Sequence, residues 1–259
     1  MIKFFRTIRK RTIEDNKSAR YFKYAIGEII LVVIGILIAL QINTWNENRK
    51  AKAEEQKILK ALQSDFKVSK TRIEETLSVQ TRVMICSKTL INIHERNNSE
   101  EYLYFNTHLD SLDYLTSYGT SWYRAEPVTG AYNSLISAGK IDLIRSEDLR
   151  HLLAQFAADL DSGFEDQDTA MILLNDLNDI INPFTLKIAT NKFRKRLNLN
   201  PRKIQNLEIS EEFFNNEAFF GKLYLKSILE YNRITRQKKF LEQVNSILRL
   251  IEEGLQNSA

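Results

Sequence analysis

The chain has 259 residues, and its 37 Lys and Arg against 33 Asp and Glu give a formal net charge of +4. Eight of the basic residues lie within residues 1–45, and the rest of the chain is close to neutral. This distribution excludes a general electrostatic affinity for nucleic acid. The single cysteine, Cys86, excludes an internal disulfide, and the scarcity of Gly (8) and Pro (3) favours long helices.

Residues 1–23 form a basic arm. Ile2, Phe5 and Ile8 follow one another at helical spacing, with basic residues between them. The pattern is typical of a short amphipathic helix on anionic lipid headgroups. An unstructured arm whose charges only set the orientation of the protein is an equal alternative.

Residues 24–45 predict a transmembrane signal-anchor helix. As a helix this segment measures roughly 32 Å, which matches a bilayer core of about 30 Å. Tyr24 and Trp45 stand at its two ends, where aromatic rings prefer the membrane interface. A cleaved signal peptide would have a shorter apolar region and a small-x-small cleavage pattern, which residues 39–41 lack.

The orientation follows from the basic residues on either side of the span. Eight precede it, and five follow it as far as Lys60. Because positive flanks stay in the cytoplasm, we expect a single-pass inner-membrane protein with residues 46–259 in the periplasm.

The span itself contains one acidic residue, Glu28, near its first end. Gly27, Gly35 and Ala39 lie close to one stripe of the helix and provide small surfaces for packing against another helix. We therefore expect Glu28 to serve helix association. Proton coupling within an envelope complex is a minor alternative, because intramembrane carboxylates are often functional.

Beyond the span, the apolar spacing predicts one long helix over 46–95, ended by residues 96–100, and a second over about 100–117. The loop 117–130 follows and is rich in aromatic residues. Trp122, Tyr123 and Arg124, with Tyr132 nearby, are its candidate ligand or partner surface.

The remaining elements are also helical. Thr129 and Ser146 are predicted N-caps, and Gly139 is a predicted helix stop. The helix after Ser146 is expected to run toward Pro183 with a break near Gly163. The last segment, about 210–256, has heptad-like spacing at Phe240/Leu241, Val244, Ile247/Leu248 and Ile251. The sequence thus predicts an all-α fold, in which an antiparallel bundle with long first and last helices follows the transmembrane helix.

No stretch of the sequence satisfies the pattern of an active site. Residues 159–168 form an acidic bend that departs from the EF-hand spacing, so a solvated turn is favoured over a calcium site. Ser137 and Lys140 have S-x-x-K spacing without the accompanying catalytic motifs. We expect no enzyme activity, no cofactor and no metal.

Two stretches carry a family resemblance. The first is the N-terminal block "MIKFFRTIRKR…YFKYAIGEIILVVIGILIALQINTWNENRK", and the second is "AYNSLISAGKIDLIRSEDLRHLL" at 131–153. The chain resembles an uncharacterised bacterial family of single-span envelope proteins with a domain of unknown function. The resemblance implies a membrane-anchored helical protein and no known activity.

Three functions are compatible with these observations. We expect an interaction or scaffold protein that binds another protein or itself. The alternative is a sensory or ligand-binding domain at the loop 117–130, and the third is a proton-coupled subunit that uses Glu28.

Overall fold

The computed structural model describes residues 18–162, 167–188, 191–200 and 209–256, and these residues form helices without any strand. The predicted all-α fold is therefore confirmed, including the long first and last helices, α1 and α9. The helices are α1 (Ser18–Arg96), α2 (Ser99–Thr107), α3 (Leu109–Gly119), α4 (Gly130–Ser137), α5 (Glu147–Ser162), α6 (Gln167–Ile188), α7 (Asn191–Arg196), α8 (Ile209–Phe214) and α9 (Glu217–Gln256).

The chain divides into two compact units at Lys57. The first unit contains an 18-residue window of α1 that is long and apolar enough to cross a membrane, and none of this window is buried. The second unit begins at Ile58 and contains the rest of the helices. The predicted basic arm lies mostly outside the described residues, since these begin at Ser18.

Helix α1 ends where the sequence predicts. Asn97 adopts a positive φ of 47°, a left-handed conformation that Asn tolerates better than most residues. The side chain of Asn98 then accepts a hydrogen bond from the backbone N–H of Glu100 at 2.9 Å and caps α2.

The prediction of a single helix over about 100–117 is wrong, because two helices, α2 and α3, occupy this region. The break is at His108, whose φ of −120° and ψ of 52° lie outside the helical region. Its ring Nδ1 lies 2.9 Å from the carbonyl oxygen of Tyr104, and the two rings stack. This local side-chain contact stabilises a turn that contains no Gly or Pro, so the sequence gives no common turn signal there.

The predicted helix boundaries around α4 and α5 are confirmed in position. Gly139 has a φ of 64°, and the N–H of Lys140 donates to the carbonyl of Leu135, which is a Schellman ending. Ser146 accepts a hydrogen bond from the N–H of Leu149 at 3.1 Å. Thr129 occupies the N-cap position of α4 but makes no capping bond there.

Two expectations about the later helices are corrected. Helix α6 continues through Pro183 to Ile188, so this proline lies inside the helix rather than at its end. The region 210–256 holds two helices, α8 and α9. Asn216 separates them, and its side chain accepts from the N–H of Phe219 at 3.0 Å. The predicted break at Gly163 lies outside the described residues.

Helices α1 and α9 pack antiparallel within the second unit. Leu59, near the start of this unit, approaches Gly254, whereas His94 stacks on Phe220 at the other end. Apolar residues from these two helices and from the shorter helices build two separate cores. The first core is centred on Leu62, Phe66, Ile73, Leu153, Phe156, Phe240, Val244 and Ile247. The second core is centred on Leu90, Ile93, Tyr102, Leu112, Leu177, Phe213, Phe214, Phe219 and Leu223.

Candidate functional site

A layer of buried polar side chains separates the two cores. The buried positions of α9 follow a heptad seam of alternating three- and four-residue steps from Leu223 to Ile251. The central positions of this seam are polar or charged rather than apolar. They are Lys226, Glu230, Arg233 and Gln237, which we call the ionic layer.

The charged pair at the centre of the ionic layer is almost fully shielded from water. Lys226 and Glu230 are each 1% exposed, and the ammonium Nζ lies 3.9 Å from a carboxylate oxygen. At this separation the two groups attract each other without a hydrogen bond. Among the described residues neither Nζ nor either carboxylate oxygen has a hydrogen-bond partner.

Burial perturbs both groups of this pair. It lowers the pKa of Lys226 to about 8, although the carboxylate of Glu230 opposes this effect. Burial also raises the pKa of Glu230, against the influence of Lys226 and Arg233. In each group the charged form is disfavoured, because desolvation outweighs the attraction between opposite charges.

Arg233 connects the ionic layer to the loop after α3. Its guanidinium lies 3.8 Å from the ring centroid of Trp122, a cation–π contact. It also donates to the carbonyl of Tyr123 at 3.4 Å, and the side chain of Gln80 on α1 donates to the same oxygen at 3.1 Å. The loop is thereby fixed to both long helices.

The α1 side of the layer is tightly packed around Cys86. Ser87 donates to the carbonyl of Gly119 at 3.0 Å, and a Cβ at Gly119 would lie 3.0 Å from the side chain of Leu90. Burial raises the pKa of the Cys86 thiol, while Arg82 and Lys226 lower it. A buried, protonated thiol is chemically inert, so Cys86 has a packing role here.

A surface groove runs alongside the ionic layer, between α1 and α9. Its volume is about 410 Å³ and it is open to solvent. We call it the α1–α9 groove. It is lined by Met84, Lys88, Ile91, Asn92 and Glu95 of α1, and by Tyr224, Ser227, Ile228 and Tyr231 of α9.

The α9 wall of this groove is apolar and exposed. Tyr224, Ile228 and Tyr231 are 56%, 45% and 64% exposed, and their spacing of four and three residues places them on one face. The same two turns of α9 therefore present an ionic face inward and an aromatic face outward. Contiguous apolar surface of this kind is typical of protein interaction sites.

The four residues predicted as a surface, three in the loop and Tyr132 in α4, are divided between two places. Trp122 and the backbone of Tyr123 contact the ionic layer, as described above. Arg124 and Tyr132 instead line a separate open cleft of about 440 Å³, together with Glu126 and Asp161. The structure therefore does not gather the four residues around one pocket.

The predicted membrane residues lie on α1 in the first unit. Gly27 and Gly35 have open space where a side chain would project, and Ala39 and Glu28 are exposed. Nothing in the chain itself covers this stripe within the described part of the first unit.

The acidic bend is only partly described. Asp159 accepts a hydrogen bond from Gln243 of α9, and Asp161 lines the cleft near Arg124. Residues 163–166 lie outside the described residues. Within the described ranges, no group of three or more His, Cys, Asp or Glu residues is placed to hold a metal ion.

The ionic layer and the groove are absent from the predicted site residues. The heptad pattern recognised from Phe240 to Ile251 continues toward the N-terminus through Gln237, Arg233, Glu230 and Lys226. Apolar periodicity could not reveal this continuation, since these four residues are polar. Extending the register by position alone would have identified them as buried.

A comparison with protein families gives one match. The model described as "Family of unknown function (DUF6090)" matches residues 28–159, just over half of the chain, and confirms the resemblance to a domain-of-unknown-function family. The match includes the α1 wall of the groove and ends within α5, before α9. No curated protein and no solved structure matches the chain.

Proposed function

Because the chain belongs to the DUF6090 family, whose function is unknown, we propose its role from its own surfaces. The role is that of a helical scaffold protein, anchored in the inner membrane of a bacterium. Its second unit binds a protein partner in the periplasm. The observation that carries this proposal is the exposed aromatic wall of the α1–α9 groove.

Membrane anchoring is supported by the apolar window of α1. An 18-residue apolar segment with none of its residues buried is unfavourable in water, at about 25 cal/mol for each Å² of apolar surface. A bilayer removes this cost without any protein contact. The eight basic residues before the window and the five after it, as far as Lys60, favour a cytoplasmic N-terminus.

The anchor and its orientation are tested by reporter fusions at the C-terminus of the full chain. A reporter that is active only outside the cytoplasm should be active, and the protein should resist extraction from membranes by alkaline carbonate. Activity of a cytoplasm-only reporter would contradict the orientation. Release into the soluble fraction would contradict the anchor and favour a cleaved signal sequence.

The interaction role is supported by the geometry of the groove. Exposed aromatic residues over a rigid helical floor are typical of interaction hot spots. The cation–π contact and the hydrogen bonds at the ionic layer join the loop after α3 to α1 and α9, the two helices that form the groove. A groove between two helices that are held in this way is preorganised. The test is purification of the tagged full chain from native membranes in mild detergent. A complex of defined composition is expected, whereas a chain that always elutes without partners would contradict the proposal.

A second candidate function has one observation in its favour. The cleft near Arg124 and Tyr132 combines an aromatic ring with the cation of Arg124 and the carboxylates of Glu126 and Asp161. Such a lining suits a small zwitterionic ligand, and the protein would then be a sensor. A rise in the thermal unfolding temperature of the full chain in the presence of a free amino acid, abolished by Arg124→Ala, would favour this function over the scaffold.

A further inference from the structure

We infer that the α1–α9 groove binds a single amphipathic helix of another protein, which carries a carboxylate opposite Lys88 and a cation opposite Glu95. The inference rests on the proposed function and specifies its partner. Three features of the groove carry it: its shape, its apolar wall and the charges along its α1 edge.

The shape of the groove fits one helix. Its two walls are antiparallel helices, and a third helix laid along such a concave surface packs its side chains against both. The groove has a volume of about 410 Å³ and extends along about three turns of α1, from Met84 to Glu95. A helix that presents apolar residues at i, i+3 or i+4, and i+7 fills a space of this form.

The apolar wall provides the anchoring contacts. Tyr224 and Tyr231 stand at the two ends of the α9 wall, with Ile228 between them. Tyrosine suits such a position because it buries a large ring at low entropic cost and keeps its hydroxyl at the wet rim. On the opposite wall, the half-buried Ile91 and the edge of the largely buried Met84 add apolar surface.

The charges define the partner further. Lys88 and Glu95 are both exposed and lie seven residues apart on α1, which is about 10.5 Å along the helix. A partner helix that complements both must carry an acidic and a basic residue at the same separation, two turns apart. If the acidic residue comes first in its sequence, the partner runs parallel to α1; the reverse order indicates an antiparallel partner.

A second copy of this chain fits the groove less well. Two-fold pairing would place groove against groove, so two concave surfaces would face each other and enclose the combined empty space. Close-packed interfaces require a convex surface against a concave one. A small apolar molecule is also a poor fit, since the groove is open along its side and small-molecule sites bury most of their ligand.

The test uses a photo-crosslinking phenylalanine analogue in the full chain, in cells. It is placed at Tyr231 in the groove or at Leu225, which is 54% exposed on the same helix but does not line the groove. Mass spectrometry then identifies the peptide attached to each position. The expected product at Tyr231 is a peptide of another protein with the apolar helical spacing and the paired charges, and Leu225 should give little of it.

Charge reversal supplies the second part of the test. Lys88→Glu should lower the crosslinking yield about threefold to tenfold, because an exposed attraction becomes a repulsion. Changing the acidic residue of the identified partner helix to Lys should restore the yield. The thermal unfolding temperature of the Lys88→Glu variant should equal that of the wild type, which shows that its effect does not arise from misfolding.

The outcomes separate this inference from the proposed function. A crosslink from Tyr231 to a second copy of this chain, or to a protein segment without the charge pair, would overturn the helix inference and leave a scaffold role intact. Equal products at Tyr231 and Leu225 would also overturn it. Absence of any protein product at either position, together with a chain that purifies alone, would contradict both.

Discussion

The buried Lys226 should contribute a gain in stability as the pH rises from 7 to 9.5, and the raised pKa of Cys86 opposes this gain over the upper part of the same range. Burial lowers the pKa of this lysine from 10.5 to about 8. Below pH 8 both the native and the unfolded chain bind the proton. Between pH 8 and 10.5 the unfolded chain still binds a proton that the native state has released, so raising the pH favours the native state.

The magnitude follows from the same two values. Each pH unit within the window contributes up to about 1.4 kcal/mol, which gives roughly 2 kcal/mol between pH 7 and 9.5. Glu230 and Arg233 on α9, and Cys86 on α1, are the charged or titratable groups that act on this ammonium. Of these, Glu230 attracts the proton and Arg233 repels it.

The assay is guanidinium unfolding of the full chain in detergent, followed by far-UV circular dichroism across this pH range. Lys226→Met should lose the rise of about 2 kcal/mol relative to the wild type. Lys238→Met is the control, because Lys238 is exposed on the same helix, and it should retain the rise. The same pH dependence in wild type and Lys226→Met would refute the buried, proton-releasing lysine.

Replacing the pair by Lys226→Leu and Glu230→Leu together should raise the free energy of unfolding by about 1–4 kcal/mol, as seen when buried ion pairs become apolar; chemical denaturation measures this. Glu230→Leu alone should lower it, since the neighbouring cations then lose that carboxylate. In the first unit, Gly35→Leu should impair helix association in a membrane two-reporter assay, because its side chain meets nothing in its own chain but separates two backbones. Glu28→Gln should weaken the free energy of helix association by only about 1 kcal/mol in the same assay. Normal association with Gly35→Leu would contradict the packing role.

The two long helices could be predicted because their apolar residues recur at helical spacing. Phe66 and Ile73 on α1, and Val244 and Ile251 on α9, are buried as their periodicity indicates. Their ends could be predicted where a residue has a special conformation, as at Gly139. The break at His108 could not, because it depends on a side-chain contact with the preceding turn.

The candidate site was harder to predict than the fold. From the sequence, Lys226 and Glu230 would be predicted to lie on the solvated face of the helix, since lysine and glutamate are rarely buried. Their burial is a consequence of register. The apolar residues on either side of them along α9 pack against α1, so the residues at the same heptad positions between them are buried as well. Tyr224 and Tyr231 show the converse, because apolar residues two turns apart on one helix face suggest a core and here line an open groove.

The central claim is that the α1–α9 groove binds a protein partner. Its most direct test compares Ile228→Asp, inside the groove, with Leu225→Asp, outside it on the same helix; the two residues are 45% and 54% exposed. Both tagged full-length variants are purified from native membranes in mild detergent, and the co-purified proteins are quantified against the wild type. We predict that Ile228→Asp loses the partner and Leu225→Asp retains it; equal retention by both variants would contradict the account.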